Sequence, residues 1–281
     1  MSKIVIIDAH NFIHRANSSF NEEAVFASDG INYGTVYRFF RNLRPVIEQF
    51  KPNKVYLVLE GHPKFRYDIY PEYKSERRAK LSDDTKKQSN NEFTENKKRI
   101  LELIKSLPIH VVTTRDFECD DVAAAIAKKH ATDEVTILTN DNDYLQLLQL
   151  ENPINVKIFS LQKKSYLEAP SYDILKYKAL AGDSSDSIKG LPGVGDKTAI
   201  KCLTDQSLLT KQLAKPGNKE IYERNLSIVK FADVTDDQFS INFGKYDFDH
   251  VKSEFQRMEL HSMLTDTYWD KFVKIFSTLS E

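Results

Sequence analysis

The stretch IVIIDAHNF, Ile4 to Phe12, decides how the rest of the chain is read. Four β-branched apolar residues are too few for a helix and suit a strand buried on both faces, and they run straight into a carboxylate, Asp8. The pattern returns downstream. The run at 55–59 ends on Glu60, and the run at 135–138 ends on TND, placing Asp141 and then Asp143 behind it. A shorter run at 110–112 is followed by Glu118, Asp120 and Asp121 at the start of DDVAAAIAKK, and a fifth lies at 156–159. Helical spacing at 37–50, 97–107 and 121–129 alternates with these strands, which predicts an α/β fold with a mostly parallel sheet flanked by helices. From about Ser171 the alternation fades into helical segments at 172–181, 197–203, 221–231 and 268–279. The expected organisation is an α/β core over 1–170 followed by a helical C-terminal region over 171–281.

With 281 residues, 41% of them hydrophobic and 29% charged, the chain has ample material for a core and is not a disordered polypeptide. No uncharged apolar run approaches the roughly 18 residues needed to cross a bilayer, and the start MSKIVIIDAH lacks a signal peptide's long apolar stretch, so a cytoplasmic protein with no membrane partner is expected. Cys119 and Cys202 are far apart and in no metal-ligand spacing, which excludes a disulfide scaffold or a thiolate zinc site. The formal charge of -1 gives no global attraction to nucleic acid, so the distribution of charge must carry any such function.

Acidic residues converge by topology rather than by spacing. With 41 acids in the chain, acid-x-acid pairs arise by chance roughly six times, so the pair at Asp141 and Asp143 proves little alone. Acids at a helix start also favour the macrodipole and cap free N–H groups, which gives Glu118, Asp120 and Asp121 a purely local explanation. Chance does not place such groups behind successive strands, whose carboxyl ends form the ligand crevice of an open parallel sheet. Carboxylates gathered there repel one another unless cations neutralise them, and oxygen ligands without His or Cys suit Mg2+ or Mn2+. An EF-hand at Asp141 fails for want of the turn glycine, and an aspartyl-phosphate enzyme using Asp8 would not need acids behind the other strands.

Positive charge is concentrated in PKFRYDIYPEYKSERRAKL, where bases and aromatics interleave. Counting from Pro71, a helical stretch would carry Tyr73, Lys74, Arg77, Arg78 and Leu81, with Lys74 and Arg78 on one face. Backbone-tracking cations with an aromatic are a way to hold a single nucleic-acid strand. Residues 82–96 are almost free of apolar side chains and are expected to form a mobile arch or loop. Further on, Asp183 and Asp186 share a helical face if their segment is helical, and Gly190, Pro192, Gly193 and Gly195 make a tight turn before a helix at Lys197, presenting N–H groups suited to phosphate.

Taken together, IDAHNFIHRA, VLEGHPKFRYDIYPEYKSERR, FECDDVAAAIA, TNDNDYLQLL and GDSSDSIKGLPGVGDKTA resemble, in order, the motifs of the 5'-nuclease family: flap endonucleases, the 5'-exonuclease domains of bacterial DNA polymerases and phage-type RNase H enzymes. The resemblance covers Ile4 to about Leu203. It implies a PIN-like nuclease core with a helical arch at about 66–98 and a helix-hairpin-helix at about 179–203. It also implies a metal site of Asp8, Glu60, Glu118, Asp120, Asp121, Asp141, Asp143, Asp183 and Asp186 holding two Mg2+ or Mn2+ ions. By the same resemblance Lys74 and Arg77 contact the scissile phosphate and Arg15 lies near it. Tyr73 stacks on a base, with Arg78 beside it on the DNA, while Gly193, Gly195 and Lys197 grip a duplex backbone with a K+ ion on the turn. The family usually has Asp where this chain has Glu60, and Gly-Asn or similar where it has Ala9-His10.

The expected activity is metal-assisted phosphodiester hydrolysis of DNA 5' ends, flaps or annealed RNA primers, by a monomer, in replication or repair. Alternatives are a catalytically weak DNA-binding relative of the same fold and a PIN-type ribonuclease. The sequence does not disclose whether a single-strand binding protein or sliding clamp is a partner, and KIFSTLSE offers no clamp-binding peptide; the short architecture without a fused polymerase suggests a phage or auxiliary enzyme.

Overall fold

The five apolar runs form the five parallel strands of one sheet in the computed structural model, which describes residues 1–18, 25–77 and 87–281. They are β1 (Lys3–Asp8), β2 (Lys54–Val58), β3 (His110–Thr114), β4 (Glu134–Leu138) and β5 (Val156–Ser160). β1 lies at the centre, with Ile6 beside Tyr56 of β2 and Ile137 of β4, which is why its four apolar residues are buried on both faces. Val5 and Ile7 face one side, where they meet α1 (Ala9–Asn17), α2 (Gly34–Phe50) and the aromatic residues Phe39, Phe40, Phe255 and Phe272. Ile4 and Ile6 face the other, against Val122, Ala123 and Ile126 of α5 (Cys119–Lys129). The result is a three-layer α/β arrangement, as expected for near-continuous apolar strands. Among the described residues no helix is long and apolar enough to cross a membrane.

Two edge strands lie outside the sequence expectation. β6 (Ser165–Leu167) pairs antiparallel with β5, and β9 (Phe239–Phe243) pairs antiparallel with β3, giving the order β6-β5-β4-β1-β2-β3-β9. The C-terminal region is therefore not one helical unit. Residues 174–229 form α6 (Ile174–Ala181), the two-residue strands β7 (Gly182–Asp183) and β8 (Ile188–Lys189), α7 (Asp196–Thr204), α8 (Gln206–Leu213) and α9 (Asn218–Val229), with a small apolar core of their own. The chain then returns to the sheet. α10 (Phe248–Arg257) and α11 (Asp266–Phe276) bring Phe255, Trp269, Phe272 and Phe276 into the same core as Phe39 and Phe40. β9 escaped notice because an edge strand leaves most of its side chains in solvent, so FSINF lacks an apolar run.

The basic segment also departs from expectation. The short helix α3 (Lys64–Ile69) precedes Pro71, and residues 71–74 are a turn, so Tyr73 and Lys74 do not start a helix. Lys74 has φ 52°, in the left-handed region that costs a non-glycine residue on the order of 1 kcal/mol. Its N–H donates to the Asp186 carbonyl at 2.8 Å, which helps hold the turn. Downstream, α4 (Lys87–Ile104) begins inside the stretch expected to be a mobile arch. Asn96, fully buried, donates to the Asn32 carbonyl at 3.0 Å, and Phe93 packs on His14, so two anchors replace the missing apolar stripe. Arg78 and residues 82–86 lie outside the described residues.

Candidate active site

Parallel strands deliver the residue behind each of them to one edge of the sheet. Asp8 ends β1 and caps α1, its Oδ1 accepting from the Asn11 N–H at 2.9 Å. Its Oδ2 accepts from Thr139 Oγ1 at 3.2 Å, and the same hydroxyl accepts from the Asp141 N–H at 3.1 Å, so one side chain ties the ends of β1 and β4 together. Glu60, just past β2, accepts from the Cys119 N–H at 3.1 Å. Glu118 caps α5 in a reciprocal capping box with Asp121, which sets Asp120 in the first turn. Asp8, Glu60, Glu118, Asp120 and Asp141 thus line one cleft of 270 Å³, together with Lys74, Arg77 and His10.

The protein leaves much of this charge unbalanced. Burial pushes Asp8 up to about 6, with Asp141 adding to the rise, and pushes Glu60 up to about 7, with Glu118 adding. Asp120 is driven well above the usual carboxylate range by burial and by Asp121 and Glu118. Burial also raises Asp141 and Asp186. Lys74 donates to Glu118 Oε1 at 2.5 Å and approaches Asp186 Oδ2 at 3.9 Å, and Arg77 lies 3.2 Å from Asp186 Oδ1. These cations do not reverse the shifts. Hard oxygen donors whose ionisation is suppressed for want of positive charge fit a divalent cation such as Mg2+ or Mn2+.

A second cavity of 660 Å³ adjoins the first through Asn11, Arg77 and Asp141 and is lined by Asp143, Asp183 and Lys178. Lys178 on α6 bonds both carboxylates, reaching Asp183 Oδ2 at 2.7 Å. Burial alone would raise Asp183, but Lys178 and Ser185 hold it below its ordinary range. Asp183 and Asp186 do not share an α-helical face. Asp183 ends β7 and caps a single 3-10 turn, so Asp183 turns to Lys178 while Asp186 turns to Tyr73, Lys74 and Arg77.

Three expected site residues occupy other positions. Asp121 is fully buried and gives both oxygens to Arg66, a residue the sequence reading did not single out. Tyr73 is 2% exposed and its hydroxyl donates to Glu118 at 2.8 Å and Asp186 at 3.2 Å, so its ring is committed to the interior and is not a stacking surface. Arg15 lines a separate cavity of 230 Å³ with Asn42, Gln49 and Lys164. Lys178 was also missed, although its place five residues before Asp183 was a usable signal. The glycine turn forms as expected: Gly193 has φ 74°, open space faces the Cα of Gly193 and Gly195, and α7 starts at Gly195 without a side-chain cap, with Lys197 exposed in its first turn. At Gly182, by contrast, a Cβ would meet the Gly190 nitrogen at 2.4 Å, so close backbone approach demands glycine.

A parallel sheet gathering acids at its carboxyl edge, with a helical module beside it, is a PIN-like α/β fold, shared with the solved flap endonuclease-1 of Methanococcus jannaschii at a TM-score of 0.67 and 17% identity, covering 98% of this chain and 93% of that one. Residues 3–176 match the family described as 5'-3' exonuclease, N-terminal resolvase-like domain, and the chain belongs to that family. It is 31% identical over 222 residues to a 5'-3' exonuclease of Mycoplasmopsis pulmonis, covering 74% of this chain and 68% of the relative. It is 28% identical over 286 residues to a DNA polymerase I of Chloroflexus aurantiacus, covering 91% of this chain but spanning only 29% of that much longer protein. Among solved structures, the bacteriophage T5 flap endonuclease in complex with DNA and metal ions superposes with a TM-score of 0.64 at 21% identity, covering 98% of each chain.

Proposed function

We propose that this chain is a divalent-metal-dependent 5'-nuclease that hydrolyses phosphodiester bonds at DNA 5' ends, 5' flaps or annealed RNA primers. The observation that carries this reading is the cleft in which Asp8, Glu60, Asp120 and Asp141, all with raised pKa, meet Lys74 and Arg77. Asp8, Glu60, Glu118, Asp120 and Asp141 would hold one Mg2+ or Mn2+, and Asp143 and Asp183, with Asp141 between the cavities, a second. Such ions supply an activated water and a charge partner for the leaving 3' oxygen. Lys74 and Arg77 place positive charge where the scissile phosphate would sit, and that charge counts most as negative charge builds in the transition state. Lys178 holds Asp143 and Asp183 in place before a cation arrives, and keeps Asp183 ionised.

The start of α7, with no side-chain cap, and Gly193, Gly195 and Lys197 would hold duplex DNA, the turn would suit a K+ ion, and Arg78 would add positive charge toward the strand. These contacts read backbone and shape rather than bases, so binding weakens steeply with salt. The same reading has the enzyme act as a monomer in the cytoplasm.

The test is cleavage of an end-labelled 5'-flap duplex with Mg2+, Mn2+ or EDTA, beside a matched single-stranded RNA. Metal-dependent cutting near the flap junction is expected. Tight flap binding without cutting would identify a catalytically weak relative, and preferential cutting of the RNA a ribonuclease.

A further inference from the structure

Arg66 stands at a junction of three segments that are remote in sequence. Its guanidinium meets Asp121 in two bonds, NH1 to Oδ2 at 2.5 Å and NH2 to Oδ1 at 2.7 Å, and NH1 also lies 2.9 Å from Glu118 Oε2. The Nε donates to the Ile228 carbonyl at 2.9 Å and NH2 to the Lys230 carbonyl at 3.3 Å, at the point where α9 ends and the chain turns back to the sheet. Asp121 is equally occupied. Oδ1 accepts from the Ala232 N–H at 2.8 Å and Oδ2 from the Glu118 N–H at 3.1 Å. Arg66 is 2% exposed at its side chain and Asp121 0%.

Although Glu118, Asp120 and Asp121 each have an oxygen within 4.8 Å of the others, a cation bound by Asp121 would have to take an oxygen from a bidentate, fully buried arginine pair. Removing one partner of such a pair leaves an uncompensated buried charge, which is strongly unfavourable. Asp120 and Glu118 differ from it. Asp120 lines the open cleft, and Glu118 lines it while held from the interior by Arg66 and Tyr73 and from the cleft side by Lys74.

We propose that the Arg66–Asp121 pair is a positioning element: it withholds Asp121 from the metal ligand set, fixes Glu118 at the rim of the cleft, and pins the exit of the helical module to the same point. This inference rests on the metal-nuclease reading and concerns only how its site is built. Arg66 touches no cleft surface, so its effect on the reaction is exerted through Glu118.

The test is calorimetric titration of Mn2+ into the full chain, paired with thermal unfolding in EDTA. If the wild-type chain binds no Mn2+, the metal-nuclease reading itself falls. If it does, Asp121→Asn is expected to keep the wild-type number of ions with affinity within about threefold, whereas Asp120→Asn weakens binding by about tenfold or more. Loss of an ion, or an affinity loss in Asp121→Asn matching that of Asp120→Asn, would overturn the withholding of Asp121.

Should Asp121→Asn fail to fold, the paired change Arg66→Met with Asp121→Leu replaces the ion pair by apolar groups of similar volume, an exchange that buried pairs often tolerate. That variant is expected to bind the wild-type number of Mn2+ ions and, on a 5'-flap duplex, to lower kcat by about tenfold or more with KM within about threefold, because Glu118 has lost an anchor. Wild-type kcat in the paired variant would overturn the positioning role.

Discussion

The two halves of the acidic crevice solve the same electrostatic problem in opposite ways. Around Asp8, Glu60 and Asp120 the carboxyls are buried with too little positive charge, and their pKa values rise. Around Asp143 and Asp183 the chain supplies Lys178, and Asp183 falls below its ordinary range. The first half is therefore incomplete without an added cation, while in the second one ammonium group already offsets part of the charge of two carboxylates and a cation must compete with it. Metal affinity should differ between them for that reason alone, before ligand geometry is considered.

The largest effect is expected from removing acids in the first half. Asp8→Asn or Asp120→Asn should lower cleavage of a 5'-flap duplex by on the order of 10³-fold while leaving duplex binding, measured by fluorescence anisotropy, close to wild type. Equal loss of binding and cleavage would break the separation between the acidic crevice and the glycine turn. Next in size is Lys178→Met, which converts the second half into a copy of the first. Asp183 should rise in pKa, stability in EDTA should fall by about 2 kcal/mol, and Mn2+ should bind this half more tightly. Unchanged Mn2+ affinity would show that Lys178 is not a competitor.

A third expectation concerns pH. Asp8 and Glu60 titrate in the folded state near 6 and 7, above their ordinary values of 3.8 and 4.5. At these two groups the folded chain binds more protons than the unfolded one between those limits, so relative to an Asp8→Asn, Glu60→Gln chain they make metal-free stability fall as pH rises from about 4 to about 7, while His10, which burial pushes down to about 3, contributes in the opposite sense in both chains. Thermal midpoints in EDTA should show that slope, and saturating Mn2+ should flatten it. The smallest effect is expected from Glu60→Asp. The shorter side chain gives up the bond from the Cys119 N–H, and the change in kcat should stay below about tenfold, since a neighbouring carboxylate remains. A larger loss would mean that the extra methylene of Glu60 sets the geometry of the first half.

What could be read in advance divides along the same physical line. Asp8, Glu60 and Asp141 were legible because a strand and the acid behind it are adjacent in sequence, and parallel pairing does the rest. Lys74 and Arg77 were legible in the basic run, but Arg66 and Lys178 were not, because Arg66 meets Asp121 and Lys178 meets Asp143 only after the chain has folded across long separations. Tyr73 was placed in the right neighbourhood but facing the wrong way, since a tyrosine beside a basic run reads alike whether its hydroxyl caps buried acids or its ring meets a base. The helix over 87–96 was hidden because its anchors are one aromatic and one asparagine rather than an apolar stripe.

The return of the chain to the sheet at β9 has a consequence for biosynthesis. His110 pairs with Phe243, and Phe39 shares a core with Phe272, across the whole helical module. A nascent chain that has delivered its first five strands to the ribosome exit still exposes one edge of β3 and an aromatic face of the sheet layer, and pairings of such long sequence separation are slow to form. Early fragments therefore carry every acid of the cleft while the β3 edge and the aromatic face that α10 and α11 cover in the full chain stay exposed.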